Sequence, residues 1–234
     1  MKSEDVINEL QRLSSSKRAK SSAWYFKTGI GQYGEGDQFI GVSVPEQRKV
    51  AIKFKALPLP EVVKLLHSPI HEHRLSALFI LVNQYKSGDK VAKKLIASTY
   101  HKNRRFVNNW DLVDSSAPYI LGDYLKTHST NVLIRLANSK SMWDRRIAII
   151  STFAFIKEER FDLTLNIANM LLKDKEDLIH KATGWALREV GKKDQKILKD
   201  FLNTNINKMP RTTLRYSIER LPIKDRKYYM SIKI

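Results

Sequence analysis

The stretch HRLSALFILVNQY, from His73 to Tyr85, opens on two polar residues and then runs almost wholly apolar. Leu75, Leu78, Val82 and Tyr85 recur at helical spacing, and the segment is too long for an ordinary strand. Similar spacing returns over Val62–Leu66, Val91–Tyr100, Val132–Leu136, Ile147–Ile156, Leu163–Leu172 and Ile197–Leu202. Strand-like alternation is confined to QFIGVSV, Gln38–Val44. Pro45, Pro58, Pro60, Pro69 and Pro210 precede helical text, where a first-turn proline sacrifices no needed N–H. These patterns predict an all-α chain with helices of roughly 10 to 17 residues.

The His73 pattern has echoes: DSSAPYILGDYL from Asp114, RIAIISTFAFI from Arg146, KATGWALREVG from Lys181 and TTLRYSIERL from Thr212. Each has a polar start and an apolar or small-residue face. Their starts lie about 40, 32, 35 and 31 residues apart, the period of two-helix solenoid units. In such an array one helix of each pair lines a concave face. Basic side chains and N-terminal amides would then gather there and suit phosphates.

Charge narrows the partners. The 234 residues carry 42 Lys and Arg against 24 Asp and Glu, a net charge of +18. The basic residues are spread along the chain, which points to a folded basic surface facing a polyanion, either nucleic acid or an anionic membrane. No apolar run is long enough to span a bilayer, and the N-terminal MKSEDVINELQRL reads as an amphipathic helix rather than a secretory signal. The absence of cysteine excludes disulfides and thiolate metal sites. We therefore expect one domain over residues 1–234, acting in the cytoplasm.

Two further segments bear on other chemistry. KTGIGQYGEGDQFIG, Lys27–Gly41, holds five of the nine glycines but fits neither a phosphate-binding P-loop nor a dinucleotide fingerprint. It reads as a flexible surface loop or as a cover that closes over a ligand. HSPIHEH carries His67, His71 and His73, but Pro69 breaks the helical face that His67 and His71 would share. No metal and no cofactor are expected. PIKDRKYYMSIKI, at the C-terminus, reads as a cap on the last helical unit.

The chemistry concentrates in NNWDLVDSSAPYILGDYL, Asn108–Leu125. On a helix, Trp110 and Asp114 share a face and Asp111 points elsewhere. Pro118 cannot bond the Asp114 carbonyl, so a bend is expected beside Asp114. Two readings stand open: a site carboxylate beside an indole, or Asp111 or Asp114 serving as a helix cap with Ser115 and Ser116. In SMWDRRIAII, Arg145 and Arg146 sit at a helix start, where cations oppose the dipole and call for an anionic partner such as a phosphate. In HKATGWALREVG, Trp185, Arg188 and Glu189 share a face, and Gly184 beside the indole leaves room for a ligand. The other reading of Trp185 is a core residue.

NNWDLVDSSAPYILGDYL, WDRRIAII, KATGWALREVG and AWYFKTGIGQYGEGDQFIGVSVPEQRK, Ala23–Lys49, together resemble the AlkD-like DNA alkylation-repair glycosylases. The resemblance covers about Ala23 to Val190. It implies a right-handed α-solenoid of HEAT-like two-helix repeats with a basic concave face. It also implies excision of cationic alkylated purines, N3-methyladenine and N7-methylguanine, from duplex DNA. Transferred by position, the catalytic aspartate is Asp114 and the active-site tryptophans are Trp110 and Trp185. Arg146 is the phosphate-contacting arginine, Arg188 matches a second arginine of the family and Tyr25 a tyrosine on the lesion side; Arg145 joins them as a DNA contact on its place at the helix start alone.

A lone carboxylate suits this chemistry. An alkylated purine leaves as a neutral base and needs no strong general acid, while positive charge develops on the sugar. No lysine is marked as a Schiff-base nucleophile, which fits a monofunctional enzyme working as a monomer. The alternatives are a non-catalytic DNA-binding helical scaffold, which has no need of Trp110, Asp114 and Trp185 together, and a protein-interaction solenoid.

Overall fold

The computed structural model describes residues 1–232; Lys233 and Ile234, the end of the C-terminal tail, lie outside the described residues. The fold is all-α, with no named strand among the described residues. The chain divides into two compact units, residues 1–116 and 117–234.

The first unit holds α1 (Ser3–Arg12), α2 (Ser16–Tyr25), α3 (Val44–Lys53), α4 (Leu59–Leu66), α5 (His71–Ser87), α6 (Lys90–Asn103), a 3-10 turn (Arg104–Phe106) and α7 (Trp110–Asp114). Its centre is α5, the helix read from His73–Tyr85, which packs on α3, α4, α6 and α7. Leu75, Leu78, Ile80 and Leu81 of α5 are almost completely buried, as are Val62, Leu65 and Leu66 of α4. Burying an aliphatic side chain stabilises by roughly 1.5–3 kcal/mol, so this cluster contributes substantially to the unit's core. Pro45 and Pro60 lie in the first turns of α3 and α4. Pro58 and Pro210 are residues that cap helix starts.

The second unit begins with a π-helical turn (Pro118–Gly122). There follow α8 (Asp123–Leu125), α9 (Asn131–Ala137), α10 (Met142–Ser151), α11 (Phe153–Ile156), α12 (Asp162–Leu171), α13 (Asp177–Lys193) and α14 (Gln195–Asn205). A 3-10 turn (Ile206–Lys208), α15 (Arg211–Ile218) and α16 (Ile223–Ser231) complete it. Here α13 is central, packing on α10, α12, α14 and above all α15.

Two local expectations change, and the one alternating segment takes its place in the all-α fold. QFIGVSV forms no strand: one bridge joins Gln38 to Ile70. The next backbone N–H groups go instead to the Glu72 carboxylate, which accepts from Ile40, Gly41 and Val42 at 3.1, 2.7 and 3.3 Å. Donors engaged by a side chain are lost to a strand ladder.

The helix through Asp114 does more than bend. Helix α7 closes at Asp114, and Pro118 opens a turn in which the Gly122 N–H bonds the Ala117 carbonyl five residues back. A proline without an N–H and a π-type turn together interrupt the α-helical ladder.

Gly184 does not open space for a ligand. A Cβ there would lie 2.5 Å from the Tyr216 Cβ and 2.6 Å from the Thr213 carbonyl oxygen, so the glycine admits α15.

Candidate functional site

Helix α7 has five residues, too few to be stable alone, so its position depends on what holds it. Asn109 caps it: Oδ1 accepts from the Trp110 N–H at 2.8 Å, and Nδ2 donates to Asp37 Oδ2 at 3.1 Å. The cap of α7 is therefore Asn109 and neither aspartate. Leu112 and Val113 are fully buried, while Trp110 and Asp114, one turn apart, are half-buried. Ser116 closes the segment, its hydroxyl bonding the Leu112 carbonyl at 2.6 Å and the Tyr100 hydroxyl at 3.1 Å.

Asp111 turns into a charged cluster. Its Oδ2 lies 2.8 Å from His71 Nε2, while His71 Nδ1 lies 2.9 Å from Asp37 Oδ2. Arg74 pairs with the other oxygen of Asp37 and donates to the Ser68 and Pro69 carbonyls at 3.0 and 3.1 Å. Burial works against the charge on His71, but Asp111 and Asp37 outweigh it and raise its pKa to about 9. Burial likewise opposes ionisation of Asp37. Hydrogen bonds from His71 and Asn109, with the charges of Arg74 and His71, still hold its carboxyl below the usual range. His73, bonded to the Ser68 hydroxyl at 2.9 Å, has its pKa pushed down to about 4 by burial and by Arg74. His67 lies elsewhere, stacked on Phe106 and 2.7 Å from Asn103 Oδ1. The three histidines thus take separate partners and do not converge on one point.

The end of the glycine-rich segment is therefore anchored through Asp37. Gly41, with φ of +79°, lies so close to α2 that a Cβ would fall 2.2 Å from the Ser15 carbonyl oxygen.

An aromatic stack supports the indole. Phe26 lies 5.4 Å from Trp110 at 23°, and Tyr25 meets the same ring edge-on at 6.0 Å. Phe26 also stacks on Phe39 at 5.2 Å and contacts His71 at 4.9 Å, and Phe39 lies 4.6 Å from His71. Tyr25 is 56% exposed and its neighbour Trp24 is 76% exposed. Lys27 stands 5.3 Å over the Trp24 ring, and Lys17 and Lys20 on α2 are exposed. Trp110, Tyr25 and Asp114 thus belong to one unit.

The other candidate residues belong to the second unit. Trp185, on α13, is half-buried, edge-on to Phe153 at 4.6 Å, and its Nε1 donates to Glu189 at 3.1 Å. Arg188, one turn on, pairs with Glu219. Arg145 finds its anion within the chain, bonding Asp174 at 2.5 and 3.1 Å and the Ser139 carbonyl at 3.0 Å. Arg146 is 5% exposed and donates to the Leu178 carbonyl at 2.6 Å, tying α10 to α13.

The sequence reading missed Asp37, His71, Asp111 and Phe26 as a connected group. One signal was present: the carboxylates of EGD and WDL and the histidine of IHE stand in a chain with few acids.

The family description DNA alkylation repair enzyme matches residues 6–221. No curated protein matches the chain. Among solved structures, a predicted DNA alkylation repair enzyme from Enterococcus faecalis is 15% identical with a TM-score of 0.68. The match covers 90% of this chain and 97% of that one, and at this identity it speaks to the fold alone. The resemblance read from the four sequence motifs is borne out, and this chain belongs to the DNA alkylation repair enzyme family.

Proposed function

We propose that this protein is a monofunctional DNA glycosylase that removes cationic alkylated purines, N3-methyladenine and N7-methylguanine, from duplex DNA. Family membership supports a role in the repair of alkylated DNA. The observation that carries the finer reading is Trp110 and Asp114 on one short helix, α7, held by a buried charge network and an aromatic stack.

In this mechanism the bond between C1′ and the purine nitrogen breaks, and its electron pair leaves with the base, which departs neutral. Positive charge remains on the sugar. The Asp114 carboxylate stabilises that charge and orients a water. The water oxygen bonds C1′, and one of its protons passes to the carboxylate or to solvent. The Trp110 face adds cation–π attraction, worth about 0.5–2 kcal/mol depending on desolvation. We propose the same use of its π face for Trp185, in the second unit.

Arg146, Arg188 and Tyr25 are the proposed DNA contacts. Arg145, held by Asp174 along one edge and by the Ser139 and Lys140 carbonyls at its other nitrogen, reaches a phosphate only by giving up a partner. Phosphate contacts fix position without reading sequence, and selectivity comes from the charge and lability of the lesion. The protein would act as a monomer on chromosomal DNA. Release of free base from duplex DNA carrying N7-methylguanine tests the reading.

A further inference from the structure

A neutral imidazole carries one N–H and one lone pair. Both ring nitrogens of His71 face carboxylate oxygens, Asp37 at 2.9 Å and Asp111 at 2.8 Å. A neutral ring would aim its lone pair at one of those oxygens; the imidazolium donates to both. The charged and titratable groups around the ring are Asp37 on the loop, Asp111 on α7, and Arg74, Glu72 and His73 on α5 itself. Glu72 is committed to the backbone N–H groups of residues 40–42 and His73 to Ser68. With His71 protonated, Asp37 and Asp111 are balanced by His71 and Arg74. Loss of the proton leaves an uncompensated negative charge in a site where His71 is 1% exposed.

The same ring braces α7 in two ways. Through Asp111 it holds the backbone turn that ends at Asp114. Through Phe26, 4.9 Å away, it supports the ring that stacks on Trp110. Its burial keeps it from touching DNA.

We propose that the His71 imidazolium is a positioning residue: bridging Asp37 and Asp111 and backing Phe26, it fixes the attitude of Trp110 and Asp114 on α7. This rests on the function proposed for Asp114, so the test has two arms, and one needs no DNA.

In the first arm, nitrogen NMR follows the His71 ring, assigned by its loss in His71→Gln, as pH rises. The expected result is two ring N–H groups at pH 8, with the proton released near the pKa of about 9. The Trp110 indole signal should move in the same titration and be displaced in His71→Gln. A neutral His71 at pH 7, or a Trp110 signal indifferent to both changes, overturns the proposal.

In the second arm, single-turnover base release from N7-methylguanine duplex is measured for wild type and His71→Gln, with DNA affinity alongside. The chemical step should fall about tenfold or more while DNA affinity is retained. The wild-type rate should drop as pH rises through about 9, and the variant should lack that step. A variant with the wild-type rate and profile overturns the proposal. Should His71→Gln fail to fold, Asp111→Asn, which still offers an oxygen to Nε2, takes its place: His71 is then assigned as the ring whose titration falls to lower pH when the Asp111 charge is removed, and the step in the rate profile should move with it. If the wild type itself releases no base, the proposed activity fails, and the first arm alone decides the role of His71.

Discussion

His71 Nε2 lies 2.8 Å from Asp111 Oδ2, three residues before Asp114 on the same short helix. A buried charge pair thus anchors the helix that carries the proposed catalytic carboxylate, and the stability of that region becomes a function of pH.

The folded pKa of His71 is raised from 6.5 to about 9. Its stabilising effect is therefore fully present below 6.5 and is lost as pH rises through about 9. At about 1.4 kcal/mol for each pH unit, the full effect is on the order of 3 kcal/mol. His73 has the opposite sign: its pKa is lowered from 6.5 to about 4, so stability declines as pH falls through that window. Asp37, also lowered, adds to the acid limb, its contribution fading as pH drops below the ordinary carboxylate value of 3.8. Denaturant unfolding across pH should show maximal stability near neutrality, and His71→Gln should flatten the alkaline limb. An alkaline limb unchanged by His71→Gln contradicts the assignment.

Phe26 connects His71 to the indole. Phe26→Ala should cost on the order of 2 kcal/mol, because stacking and burial are lost together. With Trp110 less shielded, its emission should shift to the red. An unshifted Trp110 spectrum, isolated by comparison with Trp110→Phe, counts against the stack as its support.

Gly184 marks the close approach of α13 and α15. Gly184→Ala places a methyl 2.5 Å from the Tyr216 Cβ and should destabilise by about 1–3 kcal/mol. A wild-type urea midpoint in this variant would show that α15 moves aside at no cost.

DNA binding should weaken linearly in log–log terms as salt rises, as expected for a chain of net charge +18. If Arg146 holds a phosphate, Arg146→Ala weakens binding to all sequences alike and lowers the salt slope by about one. If its guanidinium serves the fold alone, as its bond to the Leu178 carbonyl does, the slope stays and stability falls instead.

Much of the fold was legible because it rests on local periodicity. Helix α5 follows from the spacing of Leu75, Leu78, Val82 and Tyr85, and the starts of α3 and α4 from Pro45 and Pro60. The pairing of Trp110 with Asp114 was likewise a matter of helical spacing. The alternation at Gln38–Val44 makes no strand because Glu72, from another segment, takes the backbone donors. The role read into Gly184 failed because the neighbour that needs the space, α15, comes from far along the chain. The His71 bridge was invisible for the same reason: Asp37 and Asp111 lie 34 and 40 residues away on either side of it, and no periodicity links them.

The most direct test follows free-base release from duplex DNA carrying N7-methylguanine, with wild type and Asp114→Asn side by side and DNA binding measured for both. The account predicts release by the wild type above the spontaneous rate, and its loss in Asp114→Asn with binding retained. Equal release by both proteins would remove Asp114 from the chemistry. No release by either, with N3-methyladenine tested next, would contradict the glycosylase and leave a DNA-binding helical scaffold.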